Sequence, residues 1–358
     1  MQKPQKLTAV LLQNGSIGDF LLFVWLAELL WASGQFSKIL IILPRGADFL
    51  RGFLDAYPYL EVREVSRAHP LAAARLWLDT HAKRNTSPIV AVIHPSPGRI
   101  PLFVKLFAWA LTRGPGSRLV GFQDAGPLCS RLYTTCLPYE TNQLYSDTVR
   151  DIARAIGVVV PADTRPRLTF VTQKNALEAL ALQEKLYVVL HPTPSNRRRA
   201  PDLQTVVQIA RCLAGQFPDA TLVLSGGPQE KLFLEQAAAT VRQSSMQTVV
   251  IAAGLPARDI ASLLANARLY VGVDTGTSHL ASLLSVPAVV LAHEGTAVNW
   301  LPLYSASTEV IYQLKGAHAA QQAKRNLQEN AFASLRPFQA IEVGALHETL
   351  LRCIASRS

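Results

Sequence analysis

The chain has 358 residues, which is long enough for two domains of ordinary size. Because 49% of the residues are hydrophobic and only 17% are charged, the composition excludes a disordered protein. Lysine and arginine number 35 against 25 acidic residues, giving a net charge of +10 that favours anionic partners. The charges are scattered except at Arg197, Arg198 and Arg199, so we expect no nucleic-acid partner.

The N-terminal third carries no membrane-spanning pattern. Phe20–Ala27 is an uninterrupted apolar run, but a membrane span needs about 20 such residues. No small-residue cleavage site marks a signal peptide. The four cysteines show no metal-ligand spacing, which is typical of reduced thiols. We therefore expect a soluble cytoplasmic protein.

Strand-like and helix-like segments alternate along the chain, which predicts an α/β protein with parallel sheets. In the first half the predicted strands are Leu7–Leu12, Ile39–Leu43, Ile89–Ile93 and Leu119–Phe122. The predicted helices are Ile17–Ala32, Ala47–Ala56 and Tyr145–Ile156. Residues 157–175 contain prolines and little periodicity, which predicts a linker.

The pattern restarts in the second half. Its predicted strands are Leu186–Leu190, Thr221–Leu224, Val249–Ala252, Leu269–Val273 and Ala288–Ala292. Its predicted helices are Leu203–Phe217, Gln229–Gln243, Ala257–Ala267 and one that begins near Ser278. We predict two doubly wound, Rossmann-like domains, residues 1–172 and 173–358, that face a cleft and bind ligands at the carboxyl ends of their strands. The last helix has the further option of packing back on the N-terminal domain.

The most informative segment follows the strand that ends before Asp274. Thr275, Gly276 and Thr277 are small residues that leave backbone N–H groups exposed at a helix start. Unpaired donors and the helix dipole make such a start suitable for a phosphate. Asp274 and His279 flank this anion site, although His279 is also compatible with a core histidine. The segment predicts a phosphorylated ligand.

The loop Asn14–Asp19 joins the first strand to the first helix, and its two glycines permit a tight turn. Asp19 lies in the first helical turn, where the helix dipole favours a carboxylate. It is either a structural acid at a helix start or a general base that deprotonates an attacking hydroxyl.

Two loops of the second half suit a nucleotide. Residues 191–202 include Thr193 and the three arginines, which suit a diphosphate but are also compatible with a solvated basic loop. Gly227 lies in Gly226–Glu230, which either shapes a pocket for a base or ribose or only turns from strand to helix.

Residues 99–113 mix large apolar side chains with Arg99, Lys105 and Arg113. This composition is compatible with a membrane interface, where tryptophan and basic residues are favoured. We favour a buried helix of the first domain, because the polar face is too thin for a good interfacial helix.

Together these loops resemble glycosyltransferase family 9, the ADP-heptose:lipopolysaccharide heptosyltransferases and their relatives. Ser16–Asp19 looks like the family's Ser-x-Gly-Asp motif, and Val271–His279, followed by Leu-Ala, looks like its Asp-Thr-Gly-x-x-His-Leu-Ala signature. The resemblance implies a GT-B fold and an inverting sugar transfer from a nucleotide-diphosphate donor to a hydroxyl of a glycan or lipopolysaccharide-core-like acceptor.

The resemblance also implies residue roles. Asp19 corresponds to the catalytic base, with Ser16 and Gly18 in the acceptor-side loop. The resemblance places Thr275, Gly276 and Thr277 on the donor diphosphate through their backbone N–H groups, and it puts Arg198 where the family often has a phosphate-binding lysine. Asp274 and His279 either support that turn or touch the donor. Thr193 and Gly227 join the predicted donor site from their own loops.

The chain departs from the family pattern at three places, the first being Arg198 before Ala200-Pro201, where the family often has a lysine two residues before Trp-Pro. Trp25 stands where many members carry proline, and His293–Thr296 stands where the family usually reads Gly-Pro-Thr. Heptose as the donor sugar therefore follows from the resemblance alone.

We expect no cofactor other than the nucleotide-sugar, which is ADP-type by the resemblance. No Asp-x-Asp motif occurs in the sequence, so we expect no metal site and no essential divalent ion. The expected partners are the nucleotide-sugar donor and an anionic glycan or lipid-linked acceptor. A peripheral contact with the cytoplasmic face of the inner membrane stays open.

Three other functions fit an α/β chain of this kind. A catalytically silent nucleotide-sugar-binding protein would bind the donor without transferring it. A nicotinamide-dependent enzyme is disfavoured because Gly-x-Gly-x-x-Gly is missing. An epimerase acting on a UDP-sugar would form product without an acceptor.

Overall fold

The structure is a computed structural model that describes residues 6–13, 17–43, 52, 56–65, 87–95, 100–123, 129–140, 143–169, 174–194, 201–244, 248–292, 298–312, 346 and 348–352. The chain divides into two compact units, residues 1–164 and 165–358. The predicted domain boundary at 172/173 falls among residues outside the described part and stays a prediction.

The N-terminal unit contains a six-stranded parallel sheet with the strand order β3-β2-β1-β4-β5-β6. Its strands are β1 (Leu7–Leu12), β2 (Phe36–Leu43), β3 (Leu60–Glu64), β4 (Ile89–Ile93), β5 (Arg118–Phe122) and β6 (Thr135–Leu137). Its helices are α1 (Ile17–Ala32), α2 (Leu102–Leu111), α3 (Cys129–Leu132) and α4 (Tyr145–Ile156).

The C-terminal unit contains a second six-stranded parallel sheet, with the order β12-β11-β10-β7-β8-β9. Its strands are β7 (Tyr187–His191), β8 (Thr221–Gly226), β9 (Val249–Ala253), β10 (Leu269–Val273), β11 (Ala288–Ala292) and β12 (Thr308–Tyr312). Its helices are α5 (Lys174–Ala179), α6 (Leu203–Gln216), α7 (Lys231–Ser244), α8 (Ala257–Ala265) and α9 (Gly276–Leu283).

The two sheets share one topology. Numbered within its own unit, each sheet has the order 3-2-1-4-5-6 of a Rossmann fold, which confirms the predicted fold class. The direction of winding reverses between β1 and β4 in one unit and between β7 and β10 in the other. In such sheets, ligands bind outside the carboxyl ends of the strands at this reversal. The topology therefore marks one candidate half-site in each unit.

The central strands are buried on both faces, which explains their continuous apolar sequences. Helix α1 is similarly apolar because most of its residues, including Phe20, Phe23 and Trp25, are buried. The indole of Trp25 lies under the Arg150 guanidinium of α4 at 5.6 Å. This contact joins two helices of the N-terminal unit.

Three strands were not predicted: β3, β6 and β12. Each is an edge strand of its sheet. An edge strand needs fewer apolar side chains than a central one, and β3 accordingly includes Glu61, Arg63 and Glu64. These strands therefore lack the continuous apolar pattern that identified the central ones.

Helix α2 corrects the interpretation of residues 99–113. The segment does form a helix, but only Lys105, Ala108 and Leu111 of it are buried. Several of its large apolar side chains are exposed. The sequence pattern predicted the helix but not which of its sides faces the core. The prediction that this helix is buried is therefore wrong.

Two other expectations concern segments at the limits of the described part. The predicted helix Ala47–Ala56 lies almost entirely outside it. Leu346 and Leu350 lie in the hydrophobic core of the C-terminal unit, and the option that the last helix packs on the N-terminal domain stays a prediction. Within the described residues, no helix combines the length and the hydropathy needed to cross a bilayer.

Gly121 gives a direct test of the packing in the N-terminal unit. A Cβ atom added there would overlap the ring of Tyr133, whose side chain is held in the core. We expect Gly121→Ala to lower the free energy of unfolding by about 1–3 kcal/mol, measured by urea denaturation. Gly114→Ala is the matched control, because the nearest atom to its added Cβ is an ordinary contact at 3.5 Å. Equal stabilities of the two variants would contradict the described packing.

Candidate functional site

The N-terminal half-site forms where β1 and β4 end side by side. The backbone N–H of His94, directly after β4, donates to the Leu12 carbonyl at the end of β1 (2.9 Å). Asp19 lies in the first turn of α1, which follows β1. The topology thus brings together a carboxylate and an imidazole from segments about 75 positions apart.

Asp19 and His94 are both buried, and His94 Nε2 lies 3.9 Å from Asp19 Oδ1. The rings of Phe23 and Tyr145 pack beside the imidazole, with ring centroids at 5.3 and 5.4 Å. Burial lowers the pKa of His94 to about 4, although attraction to Asp19 opposes the shift. The imidazole is therefore neutral at pH 7 and lies beside the Asp19 carboxyl group.

The C-terminal half-site centres on the start of α9, immediately after β10. The helix begins at Gly276, two residues before its predicted start at Ser278, with Thr275 as the N-cap residue. The Ser278 hydroxyl accepts from the Thr275 N–H (3.0 Å) and donates to the Thr275 carbonyl (2.7 Å). Gly276 and Thr277 are the first two residues of the helix. Their N–H groups therefore lie in the first turn, where a helix offers no intrahelical acceptor.

His279 lies in the same turn and is buried. Its Nδ1 atom is 2.8 Å from the Tyr304 hydroxyl, and its Nε2 atom is 3.7 Å from Asp274 Oδ1. The Tyr304 backbone N–H in turn donates to the Ser282 hydroxyl (3.1 Å). These contacts hold His279 beside the Asp274 carboxylate with a fixed ring orientation.

Tyr270 supports the turn from within β10. Burial raises the pKa of its phenol, an effect opposed by its interactions with Thr277 and Thr275. A Cβ atom at Gly272 would overlap the Tyr270 hydroxyl and would also lie 2.8 Å from the His191 carbonyl oxygen. Glycine is thus required at this point for the phenol to lie across the strand.

The neighbouring strands β7 and β8 contribute a second polar group. His191 Nδ1, at the end of β7, lies 2.9 Å from the Ser225 hydroxyl of β8, and both side chains are buried. Burial lowers the pKa of His191 to about 4. The hydroxyl of Thr193 is also buried, and it has no hydrogen-bond partner within the described residues.

An acidic side chain lies at the carboxyl end of β8. Pro228–Glu230 forms a single 3₁₀ turn there, preceded by Gly227. The carboxylate of Glu230 lies close to Gly227, and the Thr193 hydroxyl lies close to Gly226. The turn therefore has both a carboxylate and a hydroxyl at the edge of the sheet where ligands bind in this topology.

The predicted site residues divide into three groups. The turn from Asp274 to His279 is one local cluster. Thr193 and Gly227 lie together at the ends of β7 and β8, and Gly18 and Asp19 lie at the start of α1. Ser16, Arg198 and the loop 293–296 are outside the described residues.

Sequence reasoning missed His94, Tyr270 and Tyr304 near these clusters. It included His191, Ser225 and Glu230 only as members of longer segments, without assigning a role to their side chains. His94 and His191 each directly follow or end an apolar strand, a signal that was available. Tyr304 had no comparable signal, because its partner His279 is 25 positions away in sequence. As for metals, the described residues contain no group of three or more His, Cys, Asp or Glu side chains arranged to bind one; metal independence stays a prediction.

The buried neutral state of His191 makes stability depend on pH. From about pH 7 to about pH 5 an unfolded histidine takes up a proton, whereas folded His191 does not, so acidification favours unfolding by about 2 kcal/mol. We expect urea denaturation of His191→Gln to show a smaller loss of stability over this range than the wild type. An identical pH dependence of both proteins would contradict the buried neutral imidazole.

Comparisons with known proteins support the fold and the family. The sequence model of glycosyltransferase family 9 (heptosyltransferase) matches residues 153–331, which is half of the chain. A comparison with curated protein sequences gives no significant match.

Among solved structures, the chain is similar to a family 9 glycosyltransferase from Veillonella parvula DSM 2008 (TM-score 0.72, 13% identity, 99% of each chain covered). It is also similar to E. coli ADP-heptose lps heptosyltransferase II (TM-score 0.72, 15% identity, 98% of this chain and 99% of that one). A third relative is the E. coli heptosyltransferase WaaC with ADP (TM-score 0.61, 17% identity, 90% and 98% covered). At these identities the structures establish the shared fold, and the family match establishes membership. The chain belongs to glycosyltransferase family 9 and is a glycosyltransferase.

Proposed function

We propose that this glycosyltransferase moves a sugar, with inversion, from a nucleoside diphosphate donor to a hydroxyl of a glycan or lipid-linked acceptor. The observation that carries the proposal is the start of α9, at the point where the winding of the C-terminal sheet reverses. A helix start, whose first-turn N–H groups have no acceptor within the helix, suits the diphosphate of the donor at this place. Asp274 and His279 belong to the same donor site.

Charge develops on the diphosphate as the bond from the anomeric carbon to its oxygen breaks. The amides of Gly276 and Thr277 stabilise that charge, and Arg198 adds a cation in this proposal. Groups already fixed before the reaction lower the barrier because they need no reorganisation as charge appears. The Ser278 hydrogen bonds to the Thr275 peptide support such a fixed arrangement.

Asp19 acts as the general base. The acceptor oxygen forms a bond to the anomeric carbon, its proton passes to the Asp19 carboxylate, and the nucleoside diphosphate leaves with the electron pair. Ser16 and Gly18 belong to the acceptor-side loop. His94 is a positioning residue here, because its neutral ring lies beside Asp19 Oδ1 and restricts the orientations of the carboxylate.

The nucleoside half of the donor binds at the ends of β7 and β8. An acidic side chain near the end of the second strand of a Rossmann fold commonly bonds the ribose hydroxyls. Glu230 occupies that place, and the buried Thr193 hydroxyl offers a second polar contact beside Gly226 and Gly227. The E. coli relative described with ADP, together with the heptosyltransferase relatives, favours ADP-heptose as the donor and a lipopolysaccharide-core acceptor.

We further propose that the reaction needs no divalent metal and takes place in the cytoplasm, at the inner face of the membrane where a lipid-linked acceptor is accessible. The basic net charge supports contact with anionic acceptors and lipids.

Asp19→Asn separates catalysis from donor binding. The amide cannot take up the acceptor proton, so we expect transfer to fall by about 10²- to 10⁴-fold while the Kd for ADP in calorimetry stays unchanged. Asp163→Asn, which alters an exposed carboxyl group of the same unit, is the control and retains activity. Transfer at the wild-type rate by Asp19→Asn excludes this residue as the base. Nucleotide binding with no transfer by the wild type would instead indicate a silent binding protein.

Glu230→Gln tests the ribose contact. We expect the wild type to bind ADP about tenfold more tightly than 2′,3′-dideoxy-ADP, because a hydrogen bond to a charged group is lost in the dideoxy ligand. The difference shrinks in Glu230→Gln and persists in Glu235→Gln, an exposed glutamate of α7. A preference that survives in Glu230→Gln rules out the assignment of Glu230 to the ribose.

A further inference from the structure

Helix α2 exposes four large apolar side chains. Leu102, Phe103, Leu106 and Trp109 are 51%, 50%, 45% and 36% exposed, and we call this set the outer face. Scattered exposed apolar residues are normal on proteins, but a contiguous set usually marks a surface that binds something. The four side chains lie on one ten-residue helix, and residues three or four positions apart are neighbours on a helix surface, so the set is contiguous.

The geometry of the helix makes the outer face unusual. At about 100° per residue, the four side chains fall within an arc of about 120°. No polar residue lies within that arc, and the only charged residue of the helix, Lys105, lies outside it and is buried, as are Ala108 and Leu111. An ordinary surface helix has the reverse arrangement, with polar residues outward.

Exposed basic side chains lie near the outer face. In the described residues 100–123 the exposed charges are those of Arg113 and Arg118, and the segment has no aspartate or glutamate. The Arg113 guanidinium lies 4.4 Å from the centre of the Trp109 ring. Arg118 is exposed, and so is Arg131 of α3, a helix that packs against α2. A cation thus lies directly on the outer face, at Trp109, and a second is exposed on the helix that packs against α2.

We propose that the outer face of α2 binds the surface of an anionic phospholipid bilayer. Its leucine, phenylalanine and tryptophan side chains enter the boundary between headgroups and acyl chains, where such residues are favoured, and the arginines contact lipid phosphates. A second copy of the chain fits less well, because pairing two outer faces would bring arginines of like charge together. The inference deepens the proposed function by naming the surface that holds the enzyme near a lipid-linked acceptor, and its importance in the cell rests on that function.

Vesicle sedimentation tests the proposal. We expect the full-length protein to bind sucrose-loaded vesicles of phosphatidylglycerol and phosphatidylcholine, to bind vesicles of phosphatidylcholine alone more weakly, and to lose affinity as salt rises. The double variant Leu106→Gln/Trp109→Gln should bind at least about tenfold more weakly, because it removes two apolar side chains without adding charge. Leu232→Gln, at a 67% exposed leucine of α7, is the matched control and should bind like the wild type.

Brominated lipids locate the contact within the protein. The chain has five tryptophans, and acyl-chain bromines should quench the fluorescence that Trp109 contributes. In Trp109→Phe the quenching should be lost, while phenylalanine retains most of the apolar contact. Quenching that is equal in the wild type and in Trp109→Phe would show that another surface meets the lipid, and would overturn the proposal.

Two further results would also overturn it. One is unchanged vesicle binding by the double variant. The other is a dimer of the wild type that the double variant dissociates, with no vesicle binding by either. Neither result bears on sugar transfer, which is measured with a soluble acceptor and should be equal in the wild type and the double variant. Absence of transfer with intact vesicle binding would reject the proposed function and leave the lipid-binding surface standing.

Discussion

The C-terminal half-site depends on two hydrogen bonds between the Ser278 side chain and the backbone of Thr275. One hydroxyl is bonded to both the N–H and the carbonyl of the same residue, so the chain leaves β10 and enters α9 in a single conformation. That conformation places the Gly276 and Thr277 amides in the first helical turn. Tyr270 and Gly272 support the turn from strand β10. Tyr304, which lies between β11 and β12, fixes the ring of His279.

The two units use one topology for different chemistry. At the reversal of the N-terminal sheet, a carboxylate and a neutral imidazole lie together in a largely apolar environment of Phe23 and Tyr145. At the reversal of the C-terminal sheet, the helix start offers hydrogen-bond donors. We infer that the first arrangement accepts a proton and the second stabilises a leaving anion. The proposed glycosyl transfer needs a group that accepts a proton and a group that stabilises the leaving anion. One reaction therefore accounts for the chemistry of the two half-sites.

The central elements were predictable because their burial leaves a direct mark on the sequence, a continuous apolar run in the central strands and in α1 and a one-sided apolar pattern in α4. β1, α1, β4, α4, β10 and β11 have the predicted bounds. Three of the four edge strands were not predicted, since an edge accepts charged residues such as those of β3. Helix α2 was identified, but its orientation depends on what surrounds it, so its apolar side was wrongly assigned to the core.

The candidate site was predictable where its residues are local in sequence. The turn Asp274–His279 has its candidate ligand-binding residues within six positions. The supporting contacts made by His94 to Asp19 and by Tyr304 to His279 join distant segments, and only the fold brings those together. A single sequence offers no distance information for such pairs.

Calorimetric titration of nucleosides, monophosphates and diphosphates, in the adenosine and uridine series, tests the central claim most directly. If the start of α9 holds the diphosphate, affinity rises with each phosphate by roughly tenfold or more in the wild type. In Ser278→Ala those increments shrink, while the affinity for the nucleoside is retained. Equal affinities for the nucleoside and its diphosphate, or increments that persist unchanged in Ser278→Ala, would contradict the account.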